Sequence, residues 1–192
     1  MRVLLHACCA PCSIHPLARL RSEGCQVYGY FYNPNIHPYT EYQKRLSTLR
    51  EYAANEDWPL IGEEDYALET FLRATVYREK DRCRFCYGLR LEAAARAAKH
   101  GRFDAFTTTL LASPYQKHDL VRETGLAAGE AAGIPFLYLD FRPGYRDGYA
   151  RARELGLYRQ AYCGCVYSEK ERYWREPREK RNKERPRAEG RP

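Results

Sequence analysis

Val3-Leu4-Leu5-His6-Ala7-Cys8-Cys9-Ala10-Pro11-Cys12-Ser13 decides how the chain is read. Val3, Leu4 and Leu5 form a short apolar run of the kind covered on both faces of a parallel sheet, and the run stops abruptly in thiols. Pro11 is expected to break any ladder or helix before a helical pattern resumes. Three thiols therefore stand at the carboxyl end of a first strand. In an open α/β sheet that edge is where ligands bind, because the loops there lie over the strand ends and face the amino ends of helices. A single cysteine is ordinarily a small buried hydrophobe, but two adjacent thiols followed by a third are better read as a site.

The 192 residues fit one α/β domain, taken as 1–169, with a core large enough to need no disulfide help. Residues 170–192 are dominated by Arg, Lys, Glu and Pro and read as a basic extension, a short helix followed by disorder. No apolar stretch approaches the roughly 20 residues that span a bilayer, and the amino terminus enters a strand directly, without a secretory apolar region. A cytoplasmic protein with no membrane partner is expected. In a reducing compartment its eight cysteines read as metal ligands or redox groups rather than structural bridges. The formal charge of +7 favours an anionic partner. Seventeen tyrosines interleaved with Arg and Lys supply flat faces beside positive charge, as nucleic-acid surfaces do, although half-buried packing accounts for tyrosines equally well.

Strands are predicted over 26–32, 58–61, 103–111 and 134–141 after the first one. Helices are predicted over 14–22 with Ser13 as N-cap, then 40–55, 67–75, 81–100, 119–132 and 144–157. This alternation, with crossovers of suitable length, points to a parallel, doubly wound, Rossmann-like sheet with helices on both faces. Asn33-Pro34-Asn35-Ile36-His37-Pro38 leaves the same sheet edge as the first thiols and is expected to form a wall of the site. His118 reads either as a ligand or proton donor or, more commonly for its position, as a solvated helix-start histidine.

Two further thiol pairs follow. Cys83 and Cys86 are spaced to share one helix face near an amino terminus, where backbone N–H groups and the macrodipole are expected to favour thiolate. Cys163-Gly164-Cys165 can close a very small, strained and easily reduced ring, which suits a redox switch, while a further metal pair is the other reading of that spacing. Cys8, Cys9, Cys83 and Cys86 are enough for one metal centre. Adjacent cysteines fit a single zinc tetrahedron poorly and a wider iron–sulfur cluster better, so the cluster ranks first, and Cys12 remains for another role beside it.

Five motifs then occur together: Cys8-Cys9-Ala10-Pro11; Tyr32-Asn33-Pro34-Asn35-Ile36-His37-Pro38 with Glu41-Tyr42; Arg82-Cys83 with Cys86-Tyr87; Thr108-Thr109-Leu110-Leu111 with Ser113-Pro114-Tyr115-Gln116; and Gly156-Leu157-Tyr158-Arg159-Gln160 running into Tyr162-Cys163-Gly164-Cys165. In this order they resemble the QueH family of cobalamin-independent epoxyqueuosine reductases, over nearly the whole chain up to about Lys170. The resemblance implies two-electron reduction of epoxyqueuosine to queuosine in tRNA, the last step of that modification. It implies a [4Fe-4S] cluster held by Cys8, Cys9, Cys83 and Cys86, and an adjacent mononuclear iron for which Cys12 is a candidate ligand. It also implies a redox-active pair in Cys163 and Cys165. Tyr32, Asn33, Asn35 and Tyr115 are the expected substrate-binding residues, with a base stacked on a ring and its edge met by an amide. The partners are then a tRNA carrying epoxyqueuosine and an electron donor that the sequence does not name. The rival readings are a nucleotide-dependent tRNA-thiolating enzyme, which needs a Gly/Ser-rich phosphate loop where this chain has Cys-Cys-Ala-Pro-Cys, and a non-catalytic zinc module that binds RNA.

Overall fold

The apolar run at the amino terminus forms β1 (Arg2–His6), and Val3, Leu4 and Leu5 are wholly buried, as a strand covered on both faces requires. In the computed structural model, which describes residues 1–62 and 65–175, β1 is followed by α1 (Ala10–Ser22), β2 (Gln26–Phe31), α2 (Tyr39–Asn55) and β3 (Leu60–Gly62). Then come α3 (Leu68–Thr75), α4 (Arg82–His100), β4 (Ala105–Thr108), α5 (His118–Ala132), α6 (Tyr145–Glu154) and α7 (Val166–Tyr173). The strands pair in the order β3-β2-β1-β4, all parallel, with Leu5 in register with Gly29 on one side and Thr107 on the other. Helices α1, α2 and α6 pack together as one layer, and α3, α4 and α5 as another, α4 lying on β1 and β4. The doubly wound α/β reading therefore holds.

This order places the site. From β1 the chain winds outward through β2 and β3, then returns to lay β4 on the other side of β1, so the winding reverses between β1 and β4. At such a switch point the loops after the two strands part and leave a crevice at their carboxyl ends. The residues that open it are Cys8, after β1, and Thr109, after β4.

Several boundaries differ from expectation. Pro11 does not break the chain: it occupies the first turn of α1, where the N–H that proline lacks would have no partner anyway. Cys9, with extended backbone, is the N-cap in place of Ser13, whose hydroxyl donates to the Cys9 carbonyl at 2.8 Å. Cys12 is thereby carried on the helix rather than on a loop. The strand predicted over 103–111 stops at Thr108, because the Thr108 hydroxyl accepts the Leu110 N–H at 3.2 Å and turns 109–112 into a 3-10 helix. The strand predicted over 134–141 shrinks to one bridge between Phe106 and Phe136. Pro135 has no N–H to extend a ladder, and the Leu137 carbonyl is taken by the Thr107 hydroxyl at 2.7 Å. The short helix expected from 170 is α7, which begins at Val166, and the disorder expected of the tail concerns residues 176–192, which lie outside the described residues.

Candidate functional site

Cys8 leaves β1 where its ladder ends. The Ala7 N–H still donates to the Tyr30 carbonyl at 2.8 Å, and the Ala7 carbonyl accepts the Asn33 amide at 2.9 Å. Past that point the Cys8 N–H donates to the Thr109 hydroxyl at 3.1 Å, and the same hydroxyl donates to Cys8 Sγ at 3.2 Å. The Cys8 and Cys9 sulfurs are 3.7 Å apart, and with the Cys12 sulfur they form a buried group whose members all lie within 4.8 Å of one another. Gln160 closes over it, its Nε2 donating to Cys9 Sγ at 3.0 Å and to Cys12 Sγ at 3.6 Å. Hydrogen bonds from Cys12 and Cys9 hold the Cys8 thiol well below its ordinary range against the opposing effect of burial. Burial raises Cys9, and hydrogen bonding to Cys8 raises Cys12. Hydrogen bonding within the group thus eases loss of a proton from one of three soft donors, and a thiophilic metal ion can take the place of the remaining protons. This buried group is suited to bind a metal.

Cys83 and Cys86 lie in the first two turns of α4, outside that group. Cys86 is buried with Phe71 and Cys165, while half-buried Cys83 packs against the main core. The expected helix-terminus effect does not prevail at Cys86: burial pushes its thiol up to about 12, with Arg90 opposing. Arg90, one turn further along, is 1% exposed, and its guanidinium donates to the Cys86 carbonyl and to Cys86 Sγ, both at 3.1 Å.

The third thiol pair is held from outside its own loop. Arg45 on α2 donates to the Tyr162 carbonyl and to the Cys163 carbonyl, each at 2.9 Å, and its Nε donates to Glu41 at 2.7 Å. The Tyr158 hydroxyl donates to the other Glu41 oxygen at 2.5 Å. The His37 N–H reaches the Gly164 carbonyl at 2.8 Å, and the Tyr162 hydroxyl reaches the His37 carbonyl at 2.5 Å. Gly164 adopts φ +139°, and a Cβ there would stand 3.1 Å from the Asn35 amide nitrogen and 3.2 Å from an Arg45 guanidinium nitrogen. The conformation and the close approach both call for glycine. Cys163 is exposed and accepts from Gln116 at 3.4 Å, whereas Cys165 is buried, caps α7 and accepts the Ser168 N–H at 3.4 Å.

A cavity of about 580 Å³ joins these parts. Its lining includes Cys8, Cys12, Arg90, Gln116, Gln160 and Cys163. A run of rings, Tyr115 to Tyr145 to Tyr149, with centroids 6.2 and 5.3 Å apart, also faces it, and Tyr115 is 84% exposed. Flat rings beside thiols and amides suit a planar, polar ligand carrying a group to be reduced.

The family model for epoxyqueuosine reductase QueH matches residues 3–171. The chain belongs to the QueH family. Curated QueH relatives named epoxyqueuosine reductase include one from Dehalococcoides mccartyi, 40% identical over 173 residues, covering 90% of this chain and 94% of that one. Another, from Thermotoga maritima, is 36% identical over 180 residues, covering 88% and 91%. Neither rival reading, tRNA thiolation or a zinc module, is favoured by these relatives. Among solved structures, a predicted subunit of a tRNA methyltransferase from Methanocaldococcus jannaschii superposes with a TM-score of 0.51 at 12% identity, over 80% of this chain and 76% of that one. That likeness is one of fold.

The QueH motifs distribute unevenly around the cavity. Of the four expected substrate residues Tyr115 lines it, while Tyr32, Asn33 and Asn35 are not among the lining residues. Tyr32 stacks on Tyr30 at 6.5 Å between centroids, Asn33 and Asn35 are buried, and the 33–38 segment ties to both thiol loops, through Asn33 to the Ala7 carbonyl and through His37 to Gly164 and Tyr162. His118 is buried rather than solvated, its Nε2 3.0 Å from the Leu111 carbonyl, and it does not line the cavity. His6, buried at the end of β1, is lowered to about 4 by desolvation and serves as a neutral strut between Thr108 and Tyr32. Sequence reasoning missed Arg45, Arg90, Tyr145 and Tyr149, and met Gln160 only as part of a motif, without a role. Arg90 carried a signal, since Cys83, Cys86 and Arg90 at i, i+3 and i+7 share one helix face.

Among the described residues no helix is long and apolar enough to cross a membrane.

Proposed function

We propose that this oxidoreductase removes the epoxide oxygen of epoxyqueuosine in tRNA, giving queuosine as the last step of that modification, and that it does so in the cytoplasm. The observation that carries the reading is the single cavity lined by Cys8 and Cys12, by the exposed Cys163 and by the Tyr115–Tyr145–Tyr149 rings. Two C–O bonds break and a C=C bond forms, so the reaction consumes two electrons and two protons and releases the oxygen as water. In this reading Cys8, Cys9, Cys83 and Cys86 hold a [4Fe-4S] cluster, and Cys12 is a ligand of an adjacent iron ion. The donor set fits: soft sulfurs, buried or half-buried, one of them held well below the ordinary thiol range, with an arginine against another. When bound, the cluster supplies electrons singly and the iron ion supplies Lewis acidity.

The chain's own residues have separable tasks. Tyr145 and Tyr149 offer faces for the modified base, and Tyr115 extends that surface outward toward the RNA. Exposed Tyr173 and Trp174, with Arg172 at the cavity, continue an aromatic and basic surface along α7. Cys163 holds a proton at Sγ within reach of Gln116, and Cys163 with Cys165 supplies two electrons and two protons on conversion to a disulfide, which an external donor then reduces. Gln160 fixes the sulfurs of Cys9 and Cys12 and leaves its buried Oε1 without a partner among the described residues, as an acceptor for a bound donor group. The test is anaerobic purification with an absorption spectrum and iron and sulfide analysis. Single-turnover and multiple-turnover assays on tRNA carrying epoxyqueuosine complete it. Iron with sulfide and conversion to queuosine are expected; a colourless, zinc-loaded or inert protein would overturn the reading.

A further inference from the structure

Arg90 and Arg45 are the two largest wholly buried side chains of the described residues, yet only one of them has a carboxylate. Arg45 pairs with Glu41 at 2.7 Å. Arg90 has no carboxylate partner among the described residues; its guanidinium meets the Cys86 carbonyl and sulfur and lies over the Tyr87 ring at 5.6 Å. A guanidinium cannot shed its proton to escape this position, and a buried cation without a counter-charge is costly. The acidic groups that face it are the sulfurs of Cys86, Cys163 and Cys8 and the Tyr87 hydroxyl. Three of those four are thiols at the cavity or behind it, two of them assigned above to the cluster. Negative charge placed on those sulfurs would supply the counter-charge that the position lacks.

We propose that Arg90 is an electrostatic tuning residue that raises the reduction potential of the cysteine-held cluster, by stabilising the electron that reduction adds next to Cys86. This rests on the reading that Cys86 is a cluster ligand. Reduction adds one negative charge to a buried site, and a fixed cation donating to a ligand sulfur favours the more negative state. The same cation lines the cavity with Cys163, so it also biases where an electron rests between the cluster and the exposed thiol.

The test compares wild type with Arg90→Lys, which keeps the charge, and with Arg90→Gln and Arg90→Met, which remove it. Each protein is isolated anaerobically, its iron and sulfide are counted, and its cluster is titrated potentiometrically with electron paramagnetic resonance as readout. Thermal melting checks that each variant folds. The neutral variants are expected to hold wild-type iron and sulfide and to titrate at lower potential, with electron affinity at least tenfold weaker, about 59 mV for a one-electron couple. Arg90→Lys should fall between them and wild type. Neutral variants with a full cluster at the wild-type potential would overturn the inference alone. A neutral variant that folds but cannot hold the cluster that Arg90→Lys holds would also overturn it, replacing tuning with assembly. Absence of iron and sulfide from wild type would instead overturn the reading on which it rests.

Discussion

The two cysteine-bearing loops of the cavity are each backed by a buried arginine, and they differ in what that arginine faces. Behind the Cys163–Cys165 loop, Arg45 is neutralised by Glu41 and spends its remaining hydrogen bonds on two backbone carbonyls. Behind the amino-terminal thiols and Cys86, Arg90 has, among the described residues, sulfur, a ring and a backbone carbonyl but no carboxylate. The first loop is fixed in shape by an internally balanced ion pair; the second region is left electrically incomplete by the protein itself. One arrangement pairs its guanidinium with a carboxylate while it also stands near Cys9 and Cys8; the other sets a guanidinium without a carboxylate against sulfur.

The largest expected effect breaks this comparison at the sulfur side. Cys86→Ser should lose iron, sulfide and turnover together, whereas Cys163→Ser should keep the iron and sulfide and fail in repeated turnover. Retained iron in the first variant, or lost iron in the second, would show the roles of the two regions to be exchanged. Next comes the ion pair. Arg45→Met strands a buried Glu41 carboxylate and should destabilise the fold by about 3–5 kcal/mol in urea unfolding, a loss that Arg45→Met with Glu41→Leu should largely recover. An Arg45→Met protein as stable as wild type would mean that the pair is not a staple. Gly164→Ala asks the same question with a smaller perturbation: the left-handed φ and the close approach to Arg45 predict a loss of about 1–3 kcal/mol, with Cys163 more reactive toward alkylating reagents. Unchanged thiol reactivity would separate the loop's shape from its chemistry. The smallest effect belongs to the rim, where Tyr115→Ala should weaken tRNA binding by about 1 kcal/mol, the low end for loss of one stacking face, and leave the cluster spectrum intact. Equal affinities in a binding assay would remove Tyr115 from the RNA surface.

The sheet, its winding and the clustering of thiols at a strand end were legible because each is written locally, in the apolar run of residues 3–5 and in the spacing of cysteines. Pro11 was misread for a local reason too: proline stops a helix from the inside but begins one at the first turn, and only the extended backbone at Cys9 tells the two apart. The fifth strand failed at Pro135, where an apolar pattern promised a ladder that the missing N–H does not supply. Asn33 and Asn35 read from sequence as ligand-reading amides; Asn33 also ties its turn to the Ala7 carbonyl, a bracing contact that a polar residue in a rigid turn does not announce by composition. Arg45 and its carbonyl partners are separated by 117 and 118 positions, a contact that no local pattern announces.

The failure of that fifth strand bears on how the chain behaves in company. The segment around Pro135 to Leu137 lies along the outer side of β4, satisfying the Phe106 N–H through the Pro135 carbonyl at 3.0 Å and the Phe106 carbonyl through the Leu137 N–H at 2.8 Å. It covers the edge without becoming a new edge, because proline has no donor to offer an approaching strand. The opposite margin of the sheet, β3, is only three residues long. A sheet with one margin capped and the other cut short gives a neighbouring molecule almost nothing to register against, so crowded copies of this chain are discouraged from joining strand to strand.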